Sequence, residues 1–144
     1  MNPLQQFLAL TASYHSGEAW SDCGADEAVS VLSRFDSDHW QVLSAELVLL
    51  PDEQLQRIAY SLADGIPEEA CPLLIRLIES KNNDTALAAC DSLRSILEKL
   101  HTTMPAPPHV VNVIHDLANV SNEPWKASCE NLLKHLLPLK VHSK

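Results

Sequence analysis

Side chains able to do chemistry are plentiful in this chain, and their spacing decides what they can do. Of the seven histidines, His101, His109 and His115 have no carboxylate or cysteine at the i, i+4 spacing that sets two ligands on one helical face, apart from neighbours such as Asp116. His15, His39, His135 and His142 are each isolated, so surface and helix-end positions account for all seven. The sequence contains no G-x-S-x-G, no H-E-x-x-H and no glycine-rich phosphate loop, for which three glycines supply little material. The expectation is a protein without catalytic residues, cofactor or metal. Cys23, Cys71, Cys90 and Cys129 lie far apart with no C-x-x-C pair, which suits small apolar side chains in a reduced compartment.

Carboxylates are the remaining reactive class. Asp84, Asp91 and Glu98 recur every seven residues, about 10 Å apart on a helix, too far to share a proton or a metal unaided. They read either as a solvated helix face or, joined by Glu123 and Glu130 of a neighbouring element, as a ridge of five carboxylates able to dock basic groups.

The segment that carries them, NDTALAACDSLRSILEKL from Asn83 to Leu100, predicts a helix capped by Asn83, with Ala86, Cys90, Leu93, Leu97 and Leu100 as its inner stripe. Asp84, Ala88, Asp91, Ser95 and Glu98 fall on the outer face. A shift of 39 residues superposes Asn83, Asp84, Ala88, Cys90, Asp91, Leu93 and Leu97 on Asn122, Glu123, Ala127, Cys129, Glu130, Leu132 and Leu136, so the chain repeats internally. Helix five (Pro67–Glu79) and helix seven (from Pro107 or Pro108 to Asn119) share a second template 40 residues apart, which makes the repeat unit a pair of helices. Helix three, Asp38–Leu50, matches the opening segment loosely at a shift of 46, with Trp40 answering to Trp125.

The other elements follow from periodicity and punctuation. Helix one runs from Pro3 to about Ser13, helix two from Asp26 to Phe35 with Ala28, Val29 and Leu32 inward, and helix four from Pro51 to Gly65 with Leu55, Ile58, Ala59 and Leu62 inward. Pro72 predicts a kink in helix five or a later start to it. His101–Pro108 reads as a stiff connector, and helix eight spans about Glu123 to Leu136. The prediction is one all-helical unit over residues 1–144, large enough to bury a core without disulfide or metal. No apolar run reaches membrane-helix length and the amino end lacks a basic leader, so a cytosolic protein with no membrane contact is expected.

Charge is unevenly spread. Residues 1–80 carry 13 acids against Arg34, Arg57 and Arg76, a net of −10, whereas residues 81–144 come to +1. Such a field repels phosphate backbones and speeds encounter with cationic partners, which excludes nucleic acid from the expected ligands. Within the acidic half, His15–Ala25 is the least regular stretch. Its Trp20 reads either as a loop residue folded back on the core or as an aromatic anchor ringed by Glu18 and Asp22.

Eight antiparallel helices paired at about 39 to 46 residues, with second helices such as NDTALAACDSLRSIL and NEPWKASCENLLKHL, resemble HEAT-type repeats over roughly residues 25–137. The arginine usual in that second helix is absent, with Leu87 and Lys126 near its place. The resemblance implies a short α-solenoid of stacked helical hairpins, a fold that serves as a binding surface. In size, helical character and acidity the chain is also similar to the immunity proteins of bacterial toxin systems, including contact-dependent growth inhibition. That resemblance implies tight binding to one basic toxic domain, often a nuclease, whose active site it covers. The expected contacts are Glu18, Trp20, Asp22, Asp26, Glu27, Asp36 and Asp38, with Asp52, Glu53, Glu68 and Glu69 as a second cluster and the Asp84–Glu130 ridge behind them. The alternative is a HEAT-like adaptor that scaffolds a larger assembly. Oligomeric state stays open.

Overall fold

In the computed structural model, which describes residues 2–13, 20 and 24–138, the chain is all-α apart from one small pair of strands. Its helices are α1 (Pro3–Ser13), α2 (Ala25–Leu32), α3 (Ser37–Glu46), α4 (Asp52–Leu62), α5 (Pro67–Ile78), α6 (Asn83–Leu100), α7 (Pro108–Val120) and α8 (Trp125–Leu133). A 3-10 turn, Leu47–Leu49, extends α3, and the strands are β1 (Met104–Ala106) and β2 (Leu136–Pro138).

Starts and stops have local causes. Asp36 accepts the His39 amide at 2.9 Å while the His39 ring accepts the Asp36 amide at 3.1 Å, a reciprocal cap on α3. Asn82, rather than the predicted Asn83, caps α6 by accepting from the Thr85 amide at 3.0 Å. Proline opens α5 and α7, where its missing N–H costs nothing. α5 starts at Pro67 and continues through Pro72, so the later start is not adopted. α6 ends as His101 turns left-handed (φ 50°), with the Thr102 amide bonded to the Leu97 carbonyl at 3.1 Å and the His101 amide to that of Glu98 at 3.2 Å.

α6 is the centre of the packing. It lies against α4, α5 and α8, and the α7–α8 hairpin continues this stacking, with α5 also touching α7. Three neighbours require burial on more than one face, and the run Thr85–Cys90 answers with small side chains and Leu87, all buried. Ala88, expected on the outer face, is therefore interior, while Leu100, expected inside, is exposed.

At the amino-terminal side, α1 packs on α2, α3 and α4. Phe7, Phe35 and Trp40 form a chain of edge contacts at 5.6 and 5.0 Å between ring centres, joining α1 to α3. The carboxyl-terminal turn of α1 is met by α4: Arg57 donates to the Thr11 carbonyl at 2.9 Å, and Gln54 donates to Leu8 O and Thr11 Oγ1.

Two predicted elements change. α8 stops at Leu133 and the following residues form β2, which pairs in parallel with β1, Met104 opposite Leu136 and Ala106 opposite Pro138. Part of the proline-rich connector is thus a strand. α3 ends as an α-helix at Glu46, and its 3-10 extension leaves Val48 and Leu49 77% and 75% exposed.

Candidate protein-binding surface

The acids expected to meet a partner sit at helix starts. Asp26 and Glu27 occupy the first turn of α2, Asp38 that of α3, Asp52 and Glu53 that of α4, and Glu68 and Glu69 that of α5. Each thereby faces the positive end of a helix dipole, which accounts for part of their presence. All are exposed except Glu69, which is half-buried. They do not form one patch: Asp52 lies beside Asn82 and the Glu79–Ser80 end of α5, whereas Glu69 is at the opposite end of that helix. Asp36 is exposed but engaged as the α3 cap.

Trp20 is only 5% exposed and belongs to the core, so the fold-back reading holds and the exposed anchor is withdrawn. The carboxylates of Glu18 and Asp22 lie outside the described residues.

Within the front half, Asp36, Asp64 and Glu79 pair with His39, Lys99 and His109, and what distinguishes the other helix-start acids is the absence of such a partner among the described residues. Arg34 donates to Gln6 Oε1 at 2.6 Å, Arg57 is buried on the Thr11 carbonyl, and Arg76 donates to the carbonyl of Ser44 at 2.7 Å and to its hydroxyl. Among the described residues, none of the three arginines pairs with a carboxylate. Among the described residues, Asp26, Glu27, Asp38, Asp52, Glu53, Glu68 and Glu69 have no cation within ion-pair distance.

The α6 line is built differently. Arg94, which the sequence reading overlooked, lies between two of its carboxylates and bonds both, Asp91 at 2.7 Å and Glu98 at 2.6 Å. Asp91 also accepts from Ser128 Oγ on α8 at 2.8 Å, and Arg94 Nε reaches the same hydroxyl at 3.2 Å, so the cluster ties α6 to α8. Burial opposes the Arg94 charge, but the bonds and charges of Asp91 and Glu98 outweigh it and hold the guanidinium above its ordinary pKa. Glu123 accepts the Ala127 amide at 3.0 Å, and Asp84 and Glu130 are exposed. The expected row of five free carboxylates is therefore partly neutralised from within. The spacing D-x-x-R-x-x-x-E, which places both acids next to the arginine on one helical face, is the signal that would have found it. Tyr60 of α4 lies alongside: burial first, then the charges of Asp91 and Asp84, push its phenol above the usual value.

Cys90 and Cys129 occupy equivalent positions of the two copies and are fully buried, with a hydrogen bond between them that pushes the Cys90 thiol well above the ordinary range. Among the described residues no group of three or more His, Cys, Asp or Glu is arranged to hold a metal, and no helix is long and apolar enough to cross a membrane. The chain matches no family model, no curated protein and no solved structure.

Proposed function

We propose that this protein is an inhibitor of the immunity type, which binds a basic toxin domain through its acidic front half and covers that domain's working surface. The observation that carries this reading is the contrast between two sets of acids. Among the described residues the helix-start acids Asp26, Glu27, Asp38, Asp52, Glu53, Glu68 and Glu69 have no cation within ion-pair distance, whereas Asp91 and Glu98 of the α6 line are held by Arg94. An uncompensated field costs a free protein some self-repulsion and is relieved by a cationic partner, whose approach it accelerates. The stacking of α5 through α8 supports a HEAT-like array as the scaffold, since such arrays act as binding surfaces. The partly neutralised ridge stays in second place as the contact.

The test is co-expression of the chain with the product of the adjacent reading frame. Protection of cells from that product, with affinity falling about tenfold or more as salt rises from 0.05 to 0.5 M, is the expected outcome. A neighbour that is harmless to cells, or toxicity that the chain does not relieve, refutes the reading.

A further inference from the structure

Two hollows line the strip between α3 and α5. One, of about 270 Å³, is bordered by Trp40, Gln41 and Ser44 of α3 and by Glu69, Pro72 and Leu73 of α5. The other, of about 350 Å³, continues along the same two elements past Leu47 and Val48, with Leu77 and Ser80 opposite and Asp52 at its margin. The bond from Arg76 to Ser44 crosses between them, and α3 and α5 face one another here without close packing. From Glu69 to Ser80 the strip runs about 16 Å, the length of three helical turns.

Three features separate this strip from ordinary surface. Its flank carries the consecutive aliphatics Val48 and Leu49, exposed to 77% and 75%, in a turn that leaves apolar surface in water. Its border includes Trp40, whose indole N–H is buried with no hydrogen-bond partner, an uncommon condition. Pro72 has no N–H to offer the Glu68 carbonyl, so the α5 wall also lacks one backbone bond. The residues lining the strip include Asp52, Glu69 and Glu79, the last paired with His109 at 2.6 Å, and one arginine, Arg76, which Ser44 already holds.

We infer that the α3–α5 strip is a docking groove for a basic amphipathic segment of a partner protein, about three helical turns long. Its apolar face seats on the exposed Val48 and Leu49 while its lysines or arginines meet Asp52 and Glu69. The charge settles the choice of occupant: a second copy of this chain would bring acid to acid. This assignment rests on the reading of the chain as a binder of a basic partner and locates the contact.

The experiment titrates the full-length, ¹⁵N-labelled chain with a synthetic twelve-residue leucine/lysine amphipathic peptide, following amide shifts and the Trp40 indole signal. Oligolysine of equal charge is the control. Saturable shifts centred on Trp40, Leu47–Leu50 and Arg76–Ser80 are expected. Val48→Asp should weaken binding about tenfold or more, Glu69→Gln about two- to fivefold, and Val120→Asp, an equally exposed valine on α7, should leave it unchanged. Shifts centred on Asp26–Glu27 or on the Asp84–Glu98 line, equal binding of oligolysine, equal damage from Val120→Asp, no saturable binding, or a self-associated dimer that covers the strip would each overturn the assignment. The peptide is not the cognate partner, so absence of cell protection leaves a positive mapping intact, and mapping elsewhere leaves protection intact.

Discussion

Replacing Arg94 with methionine keeps an unbranched apolar stem along α6 and deletes only the guanidinium. Its side chain is 24% exposed, and those of its partners Asp91 and Glu98 are 35% and 40% exposed. Solvent therefore screens both pairs, and each contributes about 0.5 to 1 kcal/mol rather than the value of a buried bridge. The loss should total about 1 to 2 kcal/mol, because Asp91 keeps Ser128 as a donor. For a chain of this size that lowers Tm by about 3 to 7 °C, readable by calorimetry or circular dichroism. A double-mutant cycle with Asp91→Asn isolates the pair and should return a coupling near 1 kcal/mol that shrinks in molar salt. An Arg94→Met protein melting within about 1 °C of the parent, or a coupling indistinguishable from zero, would refute the account of Arg94 as the clamp between α6 and α8.

Three further outcomes follow from the same structure. His101→Gly should raise stability by about 1 kcal/mol, because glycine adopts the left-handed conformation that ends α6 without steric cost; a loss in chemical denaturation would contradict this. Leu93→Ala, at a fully buried position of α6, should cost about 2 to 5 kcal/mol in the same assay, and a cost below about 1 kcal/mol would mean that the interior is not packed as described. Tyr60 should ionise above its ordinary value of 10.0 in an ultraviolet titration. Since its folded-state pKa is raised, the stability it contributes is present below pH 10 and lost as pH climbs through the folded value. Tyr60→Phe should remove that part of the alkaline loss, and Asp91→Asn should bring the titration down. A phenol titrating at or below pH 10 would contradict the burial and charge invoked for it.

Helix positions were legible wherever apolar spacing and proline or capping residues agreed. Leu55, Ile58, Ala59 and Leu62 of α4 are all buried as their period requires, and Pro67 and Pro108 mark the starts of α5 and α7. What stayed hidden depends on partners remote in sequence. Leu136 carries the inner position of a helical repeat and is indeed buried, but a strand 32 residues earlier, at Met104, claims it. Ala88 looks solvent-facing on a helix with one neighbour and is interior on a helix with three. Trp20 sits among polar and acidic residues, and no local pattern separates a tryptophan that folds inward from one that waits for a partner. Among the acids the difficulty is similar. Their positions are plain, but which ones are compensated depends on where Arg34, Arg57 and Arg76 reach, and each reaches across at least 28 residues to a neutral group.

The pairing of β1 with β2 has a consequence for cooperativity. By joining Met104 to Leu136 it turns residues 107–135, the α7–α8 hairpin, into a closed ring, further secured by the Met104 amide bonded to the His135 carbonyl at 3.0 Å. A ring cannot fray from one end. Amides in α7 and α8 should therefore exchange with solvent through a shared opening that first parts the strands, so a pair of three-residue strands sets the protection of two whole helices.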